Sequence, residues 1–429
     1  MAATDLRAAS ADALRPPAAP ARALLGGLVL AACALPGVMP QSAQAEEAPE
    51  QAVVSFKLSG YDEWQPTVDG ASSEEARAAR NGRSARTRAL ATTSGASGGG
   101  GLGLGSGDTR MSIVSPSVHA LLPLGRHWAA EGSLTVDEVS GASPKYYADM
   151  SGASHMEDRR TAGDLKLTRY FERQSLSLGL ARSREADYLS QALSLEGRLA
   201  SEDQNTTLNL GLGLTHDDIA PRNGKVAPTT KRTREFQIGV TQALNPRDIV
   251  QASLTLSRAK GYLNDPYKLY DERPDHRNAT IVQLRWNHWL GQSTLKLGYR
   301  LYRDSYDLRA HTWEAAWVLP LGERWTLTPD LRYYTQNAAR FYYDANPDSA
   351  LYPAPAAGAT VYSSDQRLAA WGALTVGTKL SWQFAKDWTA DAKASLYEQR
   401  AAWRLGGEGS PGLQPLTALF WQFGLSHAF

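Results

Sequence analysis

The most regular segment of the chain reads Asn205-Thr206-Thr207-Leu208-Asn209-Leu210-Gly211-Leu212-Gly213-Leu214-Thr215. Leucine occupies every second position from Leu208 to Leu214, and Asn or Gly stands between the leucines. Successive side chains of a strand point to opposite faces, whereas an amphipathic helix needs apolar residues every three or four positions. The segment therefore predicts a β-strand with one apolar and one polar face.

The same period of two recurs along the chain. Each alternating segment is long enough for the roughly 9–11 residues with which a tilted strand crosses a membrane. About sixteen such segments lie near residues 52–65, 110–124, 128–139, 159–171, 175–185, 188–200, 205–218, 231–244, 249–262, 277–290, 293–303, 307–320, 325–343, 365–383, 388–400 and 415–429. They predict an all-β protein, a transmembrane antiparallel up-and-down β-barrel of about 16 strands.

The links between these segments differ in length in a regular way. Links after even segments are short, as in Gly125-Arg126-His127 and Gly291-Gln292, whereas most links after odd segments are long, as in 140–158 and 344–364. Two odd links, 186–187 and 304–306, are short, and the first, 66–109, is a Gly- and Ser-rich insert that we expect to be a flexible external loop. Short periplasmic turns and long external loops are typical of an outer-membrane barrel.

Composition excludes several classes of protein. The 45 Lys and Arg against 44 Asp and Glu leave a net charge of +1, which argues against a nucleic-acid partner. One cysteine permits no internal disulfide and no multi-thiolate zinc site. The mean hydropathy of −0.38 is typical of a soluble protein, but it also fits strands that alternate a lipid face with a lumen face.

The N-terminus has the pattern of an export signal. The uncharged residues 23–45 follow Arg15 and Arg22, and Ala43-Gln44-Ala45 fits a signal-peptidase site. We therefore predict a signal peptide over residues 1–45 and a barrel over 46–429, in the outer membrane of a Gram-negative bacterium. Leu30-Ala31-Ala32-Cys33 also fits a lipobox, so lipidation at Cys33 stays open beside the favoured cleavage after Ala45.

Aromatic residues mark predicted contacts with lipid and with the assembly machinery. The chain has 12 Trp and 18 Tyr but only 8 Phe, and Trp128, Trp325 and Trp388 each open a strand after a short turn. Amphipathic rings at such points predict a girdle at a membrane interface. The last strand ends on Phe429, which is typical of the signal by which the barrel-assembly machinery recognises its clients.

The polar faces carry charges that would line a lumen. Opposite charges recur two residues apart, as in Asp164/Lys166 and Asp330/Arg332, and predict a salt-bridged wall or a substrate path with opposed charged ladders. A barrel of about sixteen strands is wide enough for an aqueous channel. The candidate lumen residues are Asp164, Lys166, Glu196, Arg198, Arg285, Lys296, Arg300, Glu314, Asp330, Arg332, Lys379, Asp391 and Lys393, with Asp137 and Glu235 on the same faces.

Several motifs resemble one bacterial family. They are Gly163-Asp164-Leu165-Lys166-Leu167-Thr168-Arg169-Tyr170-Phe171-Glu172-Arg173, Asn264-Asp265-Pro266-Tyr267-Lys268-Leu269, Leu284-Arg285-Trp286-Asn287-His288, Tyr302-Arg303-Asp304-Ser305-Tyr306 and Gly406-Gly407-Glu408-Gly409-Ser410-Pro411-Gly412-Leu413. Over most of residues 110–429 the chain resembles the outer-membrane barrel family catalogued as domain of unknown function 3570. The resemblance implies an outer-membrane barrel and no established activity. Residues 70–108 depart from it.

Three functions compete. A channel or translocation conduit fits the strand number and the polar lumen. A loop-plugged structural barrel that docks periplasmic or surface partners is the alternative, and association with thioredoxin-like or flavin-transfer proteins would favour it. A hydrolase at the rim would use His276 with Asp275 and Asp271, or His311 near Asp304, Ser305 and Asp307. Because solvated rim residues often form such clusters, we expect no enzyme, no catalytic or metal-binding residue and no cofactor.

Overall fold

Sixteen long antiparallel strands close into one barrel. The computed structural model describes residues 48–64, 109–141, 156–268, 270–344 and 355–429. In chain order the strands are β1 (Val53–Trp64), β2 (Thr109–Pro123), β3 (Trp128–Gly141), β4 (Met156–Tyr170), β5 (Gln174–Arg184), β6 (Tyr188–Ala200), β7 (Thr206–Ile219), β8 (Thr229–Asn245), β9 (Asp248–Gly261), β10 (Asp271–Glu272), β11 (His276–Trp289), β12 (Thr294–Asp304), β13 (Arg309–Leu321), β14 (Trp325–Gln336), β15 (Tyr362–Ser363), β16 (Trp371–Ala385), β17 (Trp388–Arg400) and β18 (Leu416–Ala428). Only β10 and β15 stand outside the barrel, where they form a separate two-stranded sheet.

The first and last strands close the barrel. β1 pairs with β18 along its whole length, from Val53 opposite Ala428 to Trp64 opposite Thr417. The backbone N–H of Phe429 donates to the carbonyl of Ala52 at 2.9 Å, and the reverse bond has the same length. Because every other barrel strand also pairs with two neighbours, no long strand leaves an open edge. The predicted up-and-down barrel is confirmed.

The alternation of side chains sets the two faces of the barrel wall. On β7 the side chains of Leu210, Leu212 and Leu214 point outward and are 44–53% exposed, whereas Asn209 and Thr215 line the interior. The same arrangement, with apolar side chains outside and polar side chains inside, recurs around the ring, so the outer surface is a continuous band of Leu, Val, Phe and Trp. Water-soluble monomers rarely expose apolar patches of more than a few hundred Å². The outer wall is therefore the surface that a lipid bilayer covers.

The turns at the two ends of the barrel differ as predicted. We call the end with the short links the short-turn end. There Gly125, Gly291 and Gly322 adopt positive φ angles of 75°, 94° and 70°, which L-residues rarely adopt. At the other, the long-loop end, only the β5–β6 and β12–β13 links are short. Within the described residues no helix is long and apolar enough to cross a membrane. The predicted signal peptide with Cys33, the insert from 66 to 108 and residues 142–155 lie outside the described residues.

Two predicted strands are too long. β14 ends at Gln336 rather than at 343, and β16 begins at Trp371 rather than at 365. Residues after Gln336 leave the wall because Ala339 and Phe341 bury their side chains in a separate apolar cluster. Before β16, residues 366–368 form a 3₁₀ turn. The other predicted boundaries differ from the observed ones by no more than three residues.

A side chain at Gly60 tests the closing seam. A Cβ there would overlap the ring of Trp421 on β18, whereas a Cβ at Gly197, also on the outer wall, would meet nothing within 4 Å. We expect Gly60→Val to lower the free energy of unfolding by about 1–3 kcal/mol, as overpacking does. Urea unfolding followed by heat-modifiable migration on a gel measures this change. The control Gly197→Val should unfold with the wild type, and equal stability of the two variants would contradict close packing at the seam.

Candidate functional site

The barrel encloses a cavity of about 2590 Å³ that runs through its interior. Of the thirteen predicted lumen residues, eleven line it: Asp164, Lys166, Arg198, Arg285, Lys296, Arg300, Glu314, Asp330, Arg332, Lys379 and Lys393. Glu196 and Asp391 lie on the same faces of their strands as Arg198 and Lys393. The amide of Gln422, another lining residue, donates to Asp391 at 3.4 Å. The interior is therefore polar and charged.

The charges of the wall pair across strands rather than along them. Lys166 Nζ lies 2.7 Å from Glu131 Oε2, Arg332 Nε lies 3.4 Å from Glu314 Oε1, and Lys393 Nζ lies 3.5 Å from an oxygen of Asp330. The opposite charges that lie two residues apart, in Asp164/Lys166, Asp330/Arg332 and Asp391/Lys393, therefore have partners other than each other. Lys166 and Arg332 stand directly opposite their acidic partners on the neighbouring strand, about 5 Å away, whereas residues i and i+2 of a strand are separated by about 6.6 Å.

Asp137 and Glu235, the two other acidic residues predicted on the inner faces, lie in different surroundings. Asp137 is buried within the wall at the long-loop end, where its Oδ2 lies 2.7 Å from Arg160 Nε. Glu235 lines the cavity. A third lining residue, Asp164, accepts a hydrogen bond from the hydroxyl of Ser133. Asp137 therefore serves the packing of the wall, whereas Glu235 and Asp164 face the cavity.

Between the two rims the charges divide into opposite sides of the lumen. The side formed by β3–β8 is net negative, with Glu131, Asp164, Glu196 and Glu235 against Lys166 and Arg198. The side formed by β11–β17 is net positive, with Arg285, Lys296, Arg300, Arg332, Lys379 and Lys393 against Glu314, Asp330 and Asp391. These groups of strands face each other across the ring. A cavity with such walls carries a transverse field, which orients dipolar solutes.

Two chain segments fold over the cavity at the long-loop end. The segments are 262–275 and 337–370, and we call their described residues, 262–268, 270–275, 337–344 and 355–370, the cap. Within the cap β10 pairs with β15, with Asp271 opposite Ser363 and Glu272 opposite Tyr362. Cap residues such as Asp265, Tyr267 and Arg367 line the cavity. At the short-turn end, residues 48–51 of the chain also line it.

A buried charge network holds the cap together. Asp365 is fully buried and accepts hydrogen bonds from Arg273 Nη2 at 2.6 Å and from Arg367 Nε at 2.8 Å, and Lys268 Nζ lies at 3.9 Å. Arg367 Nη2 also lies 3.0 Å from Asp265, and Arg273 Nε lies 2.9 Å from Asp271. Buried acids are stable in ionised form only when cations and donors surround them in this way.

The pKa values in this network follow from burial and neighbouring charge. Burial alone would raise the pKa of Asp365, but Arg367, Lys268 and Arg273 hold that pKa well below its ordinary value of 3.8. Asp271, by contrast, has a raised pKa because desolvation outweighs the attraction of Arg273. Asp365 is therefore the ionised centre of the cap at neutral pH.

The cap also rests on an apolar cluster at the rim. Tyr306, Leu308, Ala310, Ala339, Phe341 and Leu368 form its buried centre. The rings of Tyr306 and Phe341 meet edge to face at 4.8 Å between centroids. Asp304 Oδ1 accepts from the backbone N–H groups of Tyr306 and Leu308 at 2.9 and 3.1 Å, which fixes the β12–β13 turn beneath the cap. The apolar cluster and the buried charge network thus hold the same two segments of the cap in place.

The two histidines considered for hydrolysis occupy different surroundings. His276 Nδ1 lies 3.0 Å from Asp275, and both side chains are more than half exposed. Asp271 does not join them, because it lies in the cap network. His311 lies on the outer wall, stacked on Trp313 at 5.7 Å and hydrogen-bonded to Tyr299. Among the described residues no group of three or more His, Cys, Asp or Glu is arranged to hold a metal ion.

The three predicted girdle residues all open strands at the short-turn end. Trp325 stacks on Trp382 at 5.1 Å, and Trp388 stacks on His427 at 4.3 Å. The guanidinium of Arg169 lies 5.2 Å above Trp128. A second aromatic group, which the sequence pattern did not predict, lies on the outer wall near the long-loop end and consists of Tyr299, His311, Trp313 and Tyr333. That these rings contact membrane interfaces stays a prediction.

Comparison with known proteins gives a family and no activity. The sequence profile of a family described as "Protein of unknown function (DUF3570)" matches residues 25–232 and 225–420. The chain belongs to this family. The resemblance seen in the motifs of this DUF3570 protein is thereby confirmed. No curated protein matches its sequence.

Solved structures with similar folds are barrels. A "Bacterial polysaccharide outer membrane secretin" has 11% identity and a TM-score of 0.43, with 88% of this chain and 98% of that chain covered. A Pseudomonas aeruginosa FadL homologue has 11% identity and a TM-score of 0.38 (89% and 90% covered). The P. putida toluene transporter TodX has 10% identity and a TM-score of 0.41 (89% and 91% covered). At such identities they indicate nothing about what this DUF3570 protein does.

Asp365→Asn tests the cap network. The change leaves Arg273 and Arg367 facing a neutral amide in a buried site, which costs about 3–5 kcal/mol. We expect amide hydrogen exchange of residues 355–370 to become at least about a hundredfold faster. Glu398→Gln, which removes the half-buried partner of the exposed Arg400 on the outer face at the same rim, is the matched control and should change exchange little. Unchanged exchange in Asp365→Asn would contradict the role given to the network.

The same experiment has a definite pH dependence. A carboxylate whose pKa is lowered in the folded state contributes stability above its ordinary pKa, here 3.8, and loses it only as the pH falls through the lowered value. The contribution of Asp365, measured as the difference in cap exchange between the wild type and Asp365→Asn after correction for intrinsic rates, should therefore stay constant between about pH 5 and 8. Loss of protection within that range would show that another group controls the cap.

Proposed function

We propose that this DUF3570 protein is a channel of the Gram-negative outer membrane, closed at its external mouth by the cap. The observation that carries the proposal is the charged cavity of about 2590 Å³ beneath a cap that noncovalent contacts hold. Packed cores have no reason to keep so large a polar interior. A wall with opposed charges suits hydrophilic solutes that bear charges or strong dipoles.

The proposal gives the two sides of the lumen different roles. The basic side of β11–β17 attracts anionic groups of a solute, and the acidic side of β3–β8 attracts cationic ones. Movement of the cap away from the mouth opens the path, because the cap is bound through ion pairs and a small apolar cluster. The role needs no catalytic residue and no cofactor, and we propose a non-enzymatic protein.

Conductance through the cap is the first test. In planar bilayers we expect the purified wild type to give rare openings and Asp365→Asn to open at least about ten times more often, because it weakens the closed state. Glu398→Gln should behave as the wild type. Absence of current from both the wild type and Asp365→Asn would exclude a channel and leave the alternative of a plugged barrel.

Ion selectivity is the second test. The triple variant Arg285→Gln, Lys296→Gln and Arg300→Gln removes three cations from the basic side of the lumen. We expect its reversal potential in a salt gradient to shift toward cation selectivity, with the anion-to-cation permeability ratio falling about twofold or more. A triple variant that removes Arg159, Arg184 and Arg303, which are exposed on the outer wall and do not line the cavity, is the control. A ratio unaltered by the lumen substitutions would contradict a path along this side.

The alternative function is a barrel that docks periplasmic or surface proteins. The cap over one mouth and residues 48–51 at the other favour it, since both reduce free passage. Co-purification of a periplasmic partner that survives high salt, together with no current in Asp365→Asn, would support it. A bare monomer that conducts would exclude it.

Location and assembly are part of the proposal. An outer wall of apolar residues, the closed barrel and the export pattern of residues 15–45 support passage through the barrel-assembly machinery into the outer membrane. Membrane fractionation of cells that produce the full chain tests this location.

A further inference from the structure

Four cations lie together on the outer wall, at the long-loop end of β8 and β9. Arg232 stands opposite Lys260, and Arg234 stands opposite Arg258. All four side chains are exposed, and their positions alternate with the lumen-facing residues of the same strands. We call these four residues the outer basic patch. They face the side of the wall that lipid covers, not the lumen.

The arrangement is unfavourable without a counter-charge. Like charges directly opposite each other on neighbouring strands repel, because their Cβ atoms are only about 5 Å apart. Within the described residues none of the four makes an ion pair. Of the acids on flanking elements, Asp218 and Asp275 each pair with a histidine, and Asp275 also interacts electrostatically with Lys260, so the four cations still outnumber the acids beside them. The patch therefore calls for an anion from outside the chain.

The rows beneath the patch define what else that anion must carry. Two residues beyond the patch on the same face, Phe236 stands opposite Leu256. Two residues further along each strand, Ile238 stands opposite Leu254. A step of two residues along a strand is about 6.6 Å, so the cations end where the apolar wall begins. A free anion would contact only the four cations of the patch. An amphiphile whose phosphates adjoin acyl chains would contact both.

We propose that the outer basic patch binds the phosphates of the phosphorylated glycolipid in the outer leaflet. Arginine forks bind phosphate oxygens in pairs, and a lysine adds a compact charge. The acyl chains of the same lipid lie against Phe236, Leu256 and their apolar neighbours. The inference rests on the proposed outer-membrane location, but not on conduction.

Binding of purified lipid tests the proposal. The full-length protein in detergent micelles is titrated with diphosphorylated lipid A, and bound lipid is counted by native mass spectrometry. We expect the double variant Arg234→Gln and Arg258→Gln to bind at least tenfold more weakly than the wild type. The control removes Arg247 and Arg324, two exposed arginines in turns at the short-turn end, and should bind as the wild type does. Heat-modifiable migration confirms that every variant is folded.

Further arms separate the possible ligands. Dephosphorylated lipid A should bind weakly to the wild type, and inorganic phosphate at equal phosphate concentration should not displace the diphosphorylated lipid. Equal binding of the dephosphorylated lipid, full displacement by phosphate, or unchanged affinity of the double variant would each overturn the proposal. A barrel that binds the lipid but carries no current would refute the channel alone. Recovery of the protein outside the outer membrane would refute the location even where lipid binds.

Discussion

The pairing of β1 with β18 is the constraint on which the rest of the structure depends. A strand edge in hydrocarbon would leave backbone N–H and C=O groups without partners, and each would cost several kcal/mol. Closure removes both edges at once and forces every side chain to one of two faces. The apolar outer wall, the charged lumen and the two mouths all follow from that geometry. Even the chain end takes part, since Phe429 bonds to Ala52 next to the seam.

Local pattern was sufficient for the barrel and insufficient for the cap. Strands such as β7 are predictable because each residue faces lipid or lumen according to its parity, and short turns repeat at one end. The cap depends instead on contacts between distant residues: Arg273 reaches Asp365 across 92 positions, and Arg367 reaches Asp265 across 102. Apolar and aromatic residues continue past Gln336 to Tyr343, so composition gave no reason to end β14 before Phe341 enters the apolar cluster.

The ion pairs of the lumen, like the cap, could not be predicted from local sequence pattern. Parity predicted which residues point inward, but not with which residues they pair. Asp330 reaches Lys393, which lies two strands away, because Gly377 on the intervening β16 has no side chain between them; a Cβ there would meet the carboxylate of Asp330. Such an arrangement needs the register of three strands, which the sequence of any one strand does not contain.

Adjacent residues of β8 show how one residue step changes what a charge does. Lys231 points inward, 2.9 Å from the buried carboxylate of Asp217, and it serves the packing of the rim. Arg232 follows it in sequence, points outward and has a cation opposite it. A buried pair is satisfied within the chain, whereas a lipid-facing cation lies where anionic headgroups concentrate. A basic segment such as Lys231-Arg232-Thr233-Arg234 thus contributes to two unrelated surfaces, and its net charge alone predicts neither.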